Sequence, residues 1–450
     1  MACHATIATP RTSNPQEHPN MLSLVIFSLF FVLALAGIPL MYALLATTLG
    51  VIATYGMSHP LETIFLSFIG GVEPFILIAV PLFVFTGELL AQGGVGARIV
   101  DFAKVLFGWL PGGLGVVTVV SCLLFGGVSG SAIADTAAIG SLVIPSMVAR
   151  GYSRGFAAAL LSVAGTLALL MPLSIPFLVY AFVSGVSMRT LSMAGLLPAL
   201  VSAAALIAVC MWYGKKTGCD NGDRRASFKE IWAATLSAGP ALIMPVFIVG
   251  GIWSGYFTPT ESAAVAVVYG LVVSMFFYKD LKWEQIPKLL LKAFMTSATV
   301  MLVIGATGAL AWLITVEQVA QQLADWVGSV AHQKWVFLIM LNVALVLLGI
   351  FIEPLPALLM AAPLFLPLAM AFKIDLVHMG VIMTANLAIA LYTPPVGGTL
   401  FVAAKLAKAG IGEITKHLWP LMAATFMVVL LITYVPWLTS WLPRLIASLG

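Results

Sequence analysis

The sequence predicts an all-α polytopic membrane protein built as two inverted repeats. Three observations carry this reading: the composition, the charge-free runs, and prolines that recur at a fixed spacing. Of 450 residues, 61% are apolar and 8% are charged, and the mean hydropathy is +1.09. A soluble domain carries about 25% charged residues, so 21 Lys and Arg with 17 Asp and Glu cannot cover a water-facing surface of this length. The same composition excludes a nucleic-acid binder, a disordered regulator and a secreted disulfide scaffold. Cys3, Cys122, Cys210 and Cys219 show neither CxxC nor Cys/His spacing, so no metal centre or disulfide framework is indicated.

The elements follow in chain order. Residues 1–20 are polar, hold Pro10, Pro15 and Pro19, and lack the charged n-region of a signal peptide. They read as a disordered tail, with Met21 as an alternative start. About 20 apolar residues cross the hydrocarbon core as a helix, and residues 190–214, 231–254, 256–278, 293–316 and 417–443 each suit one crossing. The runs 155–188 and 376–404, and the segments 105–149 and 335–372, are too long for one straight helix and carry Pro, Gly and Ser in their middles. They are expected to be broken spans and re-entrant hairpins, which lipid tolerates only where protein or water covers the freed backbone. Lys215, Lys216, Arg224, Arg225 and Lys229 mark one cytoplasmic loop, and Lys279, Lys282, Lys288 and Lys292 mark another. Counting on, Lys405, Lys408 and Lys416 fall on the same side and the C-terminus lies outside.

Pro145 and Pro367, Pro172 and Pro394, and Pro198 and Pro420 are each separated by 222 residues. Flanking residues match, as in Leu142-Val143-Ile144-Pro145 and Leu364-Phe365-Leu366-Pro367. An odd number of crossings separates matching elements, so the halves are inverted. Charge agrees: the amphipathic stretch 96–109 carries Arg98, Asp101 and Lys104, while its counterpart 317–331 carries Glu317 and Asp325 with no base.

Four irregular segments occupy matching places. Gly126-Gly127-Val128-Ser129-Gly130-Ser131, followed closely by Asp135, is either a re-entrant tip or a small-residue packing stripe. Met171-Pro172-Leu173-Ser174-Ile175-Pro176 is either a break that frees carbonyls or a structural proline kink. Gly349-Ile350-Phe351-Ile352-Glu353-Pro354 places an ionisable group in an apolar run, where it faces a cavity or ion, or lies in an outer loop. Tyr392-Thr393-Pro394-Pro395-Val396-Gly397-Gly398-Thr399 cannot stay helical, so a helix must stop at Thr393 and restart near Thr399. The restarted half-helix aims its amides at the gap and favours an anion. Stranded carbonyls and the Thr393 hydroxyl suit a hard cation. Glu73, Glu88 and Glu261 are further acids in apolar surroundings; Glu261 is expected to cap a helix start and Glu88 to reach water at the cytoplasmic end of its span.

The string from Phe125 to Asp135, the stretch Gly255-Tyr256-Phe257-Thr258-Pro259-Thr260-Glu261-Ser262, and Thr393-Pro394-Pro395-Val396-Gly397 resemble the signatures of one family. It is the large membrane (M) subunit of tripartite ATP-independent periplasmic (TRAP) transporters, and the resemblance runs from about Met21 to the C-terminus. It implies an elevator-type, sodium-coupled importer of organic acids in a bacterial inner membrane. A small four-helix membrane subunit and a periplasmic substrate-binding protein are the implied partners, with sodium as coupling ion and no other cofactor. Carried over, one ion sits near Ser129, Ser131, Pro172 and Ser174, and another near Gly349, Glu353, Thr393 and Gly397. The substrate lies against Gly130, Ser131, Asp135, Pro394, Pro395, Val396 and Thr399. Two departures stand out: Leu173 follows Pro172 where the family has a second proline, and Glu353 stands where it usually has Asp.

The domain reading is scaffold and arm for 21–110, transport domain for 111–187, scaffold with a cytoplasmic loop and second arm for 188–332, transport domain for 333–409, and a scaffold helix for 410–450. A single-component sodium-coupled anion carrier is the alternative function. An intramembrane enzyme is more distant, because no HExxH, GxSxG or cluster of acids is present.

Overall fold

A computed structural model describes residues 19–55, 60–220, 224–319, 321, 322, 327, 333–394 and 397–449, all of them helical or in short connections. Ten segments among them are long and apolar enough to cross a membrane. The first repeat runs α1 (Pro19–Leu35), α2 (Leu40–Thr54), α3 (Leu61–Val72), α4 (Ala79–Gln92) and α5 (Val95–Phe107). It continues with α6 (Gly113–Ser129), α7 (Ala132–Ala149), α8 (Arg154–Ala164), α9 (Ile175–Ser184) and α10 (Met188–Thr217). The second runs α11 (Phe228–Ser254), α12 (Pro259–Val272) and α13 (Ile286–Val316), then α14 (Lys334–Phe351), α15 (Pro354–Ala371), α16 (Leu376–Ala390), α17 (Gly398–Ala407) and α18 (Ile411–Tyr434), with α19 (Trp437–Leu449) last.

Both expected hairpins form. α6 turns into α7 at Gly130 and Ser131, α14 turns into α15 at Ile352 and Glu353, and Ser131 and Glu353 are the N-caps of the second arms. Both expected breaks form too: α8 tightens into a 3-10 turn over Gly165–Leu170 before α9, and α16 stops before α17. Local chemistry sets the helix starts. Ser227 with Glu230 and Thr258 with Glu261 each close a reciprocal capping box, so Glu261 caps its helix as its position after the Gly255 turn predicts.

The repeat is imperfect in a telling place. The 222-residue shift carries α3 and α4 together onto α13, yet α13 is continuous and Pro74 divides its partner, with a 3-10 turn over Phe75–Ile78. The run 417–443 is also not one helix. α18 ends at Tyr434, and Val435 leaves helical geometry at φ −118° because a residue before proline, here Pro436, is pushed out of the α region. Residues 1–18 of the expected tail and most of the second arm, 317–331, lie outside the described residues.

Two packing groups emerge. α13 lies along α2, α3 and α4, α12 lies on α4, and α11 supports α5. Arg98 of α5 pairs with Asp280 and stacks over the Tyr278 ring at 4.2 Å, tying the first arm to the end of the α12 span. The hairpins and broken spans form the other group. α17 packs on α7 and α8, α9 packs on α15, α10 packs on α6, and α18 packs on α8.

Asp220, just past α10, joins this second group at its base. Its carboxylate accepts from Leu114 N at 2.7 Å, from Arg150 at 2.8 Å and from Tyr152 Oη at 3.2 Å, while its carbonyl accepts from Gly112 N at 3.1 Å. One residue therefore holds the entry and exit of the first hairpin. Nearby, Phe156 stacks on Tyr213 with centroids 3.5 Å apart, and Glu413 accepts from Gly155 N at 3.1 Å. Asp220→Ala is expected to lower stability by about 2 kcal/mol, because it leaves the buried Leu114 amide without its acceptor and removes the hydrogen bonds from Arg150 and Tyr152 at the hairpin base. Asp280→Ala, at a water-exposed pair, is expected to change it by less than about 0.5 kcal/mol. Thermal unfolding in detergent compares the two.

Candidate functional site

A cavity of about 360 Å³ opens where the two hairpin tips meet the first packing group. Ser129, Gly130, Ser131 and Ile133 line it from the first hairpin, Glu353 and Pro354 from the second, and Pro176 and Leu391 from the ends of the breaks. Glu88 of α4 and Lys292 of α13 close the opposite wall.

The first tip is built by close approach. Gly130 has φ +60°, and a Cβ there would sit 2.6 Å from the Leu173 carbonyl oxygen, so only glycine lets the tip seat on the first break. Ser131 caps α7 by accepting from Ala134 N at 3.4 Å, and Ser174 caps α9 by accepting from Phe177 N at 3.3 Å. Ser129, Ser131, Pro172 and Ser174 are thus brought to one tip-and-break junction.

At the second junction, a Cβ on Gly349 would overlap Ala390 at the end of α16, and one on Gly397 would meet the Leu391 carbonyl oxygen at 2.6 Å. Thr399 covers that carbonyl, donating from its hydroxyl at 2.9 Å and from its amide at 3.2 Å. The Thr393 hydroxyl donates to Ile389 O at 2.8 Å, which leaves its oxygen lone pairs to accept. Glu353 caps no amide with its side chain and is open to the cavity, not held in a loop contact. Pro394 lies in the turn before α17; Pro395 and Val396 lie outside the described residues. Gly398 faces Ile133 of the first hairpin, so the two repeats meet across the site.

Asp135 is placed differently from its sequence expectation of facing substrate. It is fully buried inside the first hairpin, takes a hydrogen bond from Ser129 on Oδ1, and leaves Oδ2 without a partner beside Gly126 and Ala168. Glu88 also differs: it does not simply reach water but accepts from Lys292 Nζ at 2.7 Å. Glu73 is exposed at the α3 break. Sequence reasoning missed a buried amide pair, Asn386 Nδ2 donating to Asn342 Oδ1 at 2.7 Å, since neither residue sits at an irregular segment. A lone Asn in an apolar run was the available signal.

Gly185 also has positive φ, at +71°, but nothing lies within 4 Å of its added Cβ. Gly185→Ala is therefore expected to cost about 1 kcal/mol of backbone strain, and Gly130→Ala about twice that, because it also unseats the tip. Melting temperatures of the two variants test the difference.

The family described as tripartite ATP-independent periplasmic transporter, DctM component, matches residues 27–438. The C4-dicarboxylate TRAP transporter large permease protein DctM of Rhodobacter capsulatus is 35% identical over 440 residues, which are 95% of this chain and 100% of that one. The sialic acid TRAP transporter large permease protein SiaM of Vibrio cholerae is 37% identical over 385 residues, 85% of this chain and 89% of that one. Among solved structures, the YdaH transporter of Alcanivorax borkumensis superposes with a TM-score of 0.61 at 14% identity, covering 93% of this chain and 98% of its own, and so shares the fold. The protein is a multi-pass transporter permease of the inner membrane and not an enzyme. Signature strings, paired hairpins and paired breaks agree with these matches, and the chain belongs to the family of large membrane subunits of TRAP transporters.

Proposed function

We propose that this chain is the transport subunit of a sodium-coupled, binding-protein-dependent importer of organic acids that works by elevator alternating access. The observation that carries the reading is the single cavity at which both hairpin tips and both breaks converge against a separate packing group. The two relatives are named for C4-dicarboxylate and sialic acid, and both compounds carry the carboxylate that the amides at the start of α17 suit. Gly130, Ser131, Pro394 and Thr399 surround the substrate in this scheme, and the family resemblance adds Pro395 and Val396, which lie outside the described residues.

Coupling ions have two places. One lies by Ser129, Ser131, Pro172 and Ser174, and the second by Gly349, Glu353, Thr393 and Gly397, where hydroxyl, carboxylate and carbonyl oxygens are hard ligands. Asp135 joins the first ion's surroundings in this proposal and leaves the substrate's. Its spare oxygen is a candidate cation ligand, and its side chain does not line the cavity. Sodium neutralises these oxygens and prepares the cavity for a carboxylate. Each net positive charge moving inward gains about 2.3 kcal/mol per 100 mV, and each tenfold sodium gradient adds about 1.4 kcal/mol per ion.

The moving body in this scheme is larger than 111–187 with 333–409. α10 and α18 travel with it, because Asp220, the Phe156–Tyr213 stack and the Glu413 contact bind them to the hairpin base. α1–α4 and α11–α13 form the scaffold. A small four-helix subunit braces that scaffold and a periplasmic binding protein delivers the cargo.

The test is uptake into proteoliposomes holding this chain with its small subunit, using labelled C4-dicarboxylate and labelled sialic acid under an inward sodium gradient. Uptake that needs both sodium and the binding protein is expected; uptake without the binding protein would instead identify a single-component carrier. Ser131→Ala and Thr393→Ala are each expected to raise the half-saturating sodium concentration about threefold to tenfold, the loss of one ligand hydroxyl. Unchanged sodium dependence in both removes these residues from the ion sites.

A further inference from the structure

Two charged side chains in the cavity come from the scaffold and take no part in the scheme above. Glu88 of α4 and Lys292 of α13 form an ion pair at 2.7 Å, and both line the cavity beside the hairpin tips. The pair is lopsided. The Glu88 side chain is 14% exposed and that of Lys292 is 61% exposed, so the carboxylate is recessed and the ammonium stands toward open space. Thr296 and Val300 continue the same face of α13 at four-residue steps and also reach the cavity. The basic stretch 279–292 runs into the first two turns of α13, which starts at Ile286, and this places Lys292 at the cytoplasmic mouth. A cavity walled by the cytoplasmic ends of α4 and α13 is open to that side.

An ammonium has three N–H donors in no fixed geometry, and an organic carboxylate in this cavity lies within reach of the same group that Glu88 holds. Only the Lys292 end of this pair is open, so a second carboxylate can reach the ammonium's remaining N–H donors and compete with Glu88 for it. We propose that Lys292 is the scaffold's docking cation for the substrate carboxylate in the cytoplasm-open arrangement, and that Glu88 is the competitor that takes the ammonium back and frees the anion. The inference rests on the transport reading of this cavity. Lys292 belongs to the static wall and the tips belong to the moving body. The contact therefore exists only when the body stands on the cytoplasmic side, and the pair governs release and leaves capture alone.

The test uses the complete transporter in right-side-out proteoliposomes, with labelled C4-dicarboxylate or sialic acid, whichever the wild type accumulates. The concentration of the same compound in the lumen that halves uptake reports affinity at the cytoplasmic face. Lys292→Gln is expected to raise that concentration about threefold to tenfold, Glu88→Gln to lower it by a similar factor, and Lys292→Arg to stay within about twofold of wild type. KM from the binding-protein side is expected to stay unchanged in all three. A purely structural ion pair moves both single variants in one direction and recovers in the double variant. That result, or no change in either single variant, overturns the proposal while leaving wild-type transport intact. Where Lys292→Gln does not assemble, Glu88→Gln carries the sign alone, and a rise or no change overturns it. A wild type that accumulates neither compound overturns the transport reading first and this inference with it.

Discussion

An amide or carbonyl left unpaired in hydrocarbon costs several kcal/mol, and this constraint governs the whole arrangement. Two hairpin tips and two helix breaks each strand backbone groups at membrane depth, so each must be covered by another. The first tip rests on the Leu173 carbonyl, serines close the helix starts beside it, and Thr399 covers the carbonyl of Leu391. The covering is crosswise: α17 of the second repeat lies on α7 and α8 of the first, and α9 of the first lies on α15 of the second. The cavity is not an addition to the fold. It is the point at which the fold conceals its own interruptions, which is why oxygen atoms gather there in an otherwise apolar molecule.

Much of this was legible before any coordinates. Proline and glycine act on their immediate neighbours, so the tips at Gly130 and Glu353 and the stops near Pro172 and Thr393 could be located from the chain alone, and the 222-residue spacing paired them. Pairings between distant residues were not legible. Lys292 and Glu88 stand 204 positions apart and Asp220 and Leu114 stand 106 apart, and nothing local in either member names its partner. Asp135 shows the same limit from the other side. Its proximity to a tip in sequence is real, but a helix turns a side chain by about 100° per residue, and that rotation points the carboxylate into the hairpin and away from the cavity. The break at Pro436 was marked by a visible proline and was hidden only by the length of the apolar run around it.

The two repeats differ in the placing of one carboxylate and in one helix break. The first hairpin keeps its carboxylate inside, on Asp135, while the second presents one to the cavity, on Glu353. Pro74 divides the span that α13 leaves whole. α5 is fastened to the end of the α12 span through Arg98, Asp280 and Tyr278, while the hairpin it leads into is fastened to the residue after α10, Asp220. Between those two anchorages the chain runs from Gly108 to Pro111, since Gly112 already donates to Asp220. Under the elevator scheme proposed above, that stretch is where relative motion of the two packing groups would be taken up.

The span Arg154–Ser184 is among the most hydrophobic in the chain, yet it is almost wholly enclosed by other helices. Its apolar side chains answer a requirement of biogenesis. During synthesis each span is sorted by its own hydrophobicity, before the helices that will surround it exist. A segment destined for the centre of the bundle must therefore first qualify as a lipid-facing helix, and the finished protein withdraws it from the solvent that admitted it. Polar substitutions along α8 thus face two separate trials, one at insertion and one at packing, and a change the folded core would accept can still be lost at the first.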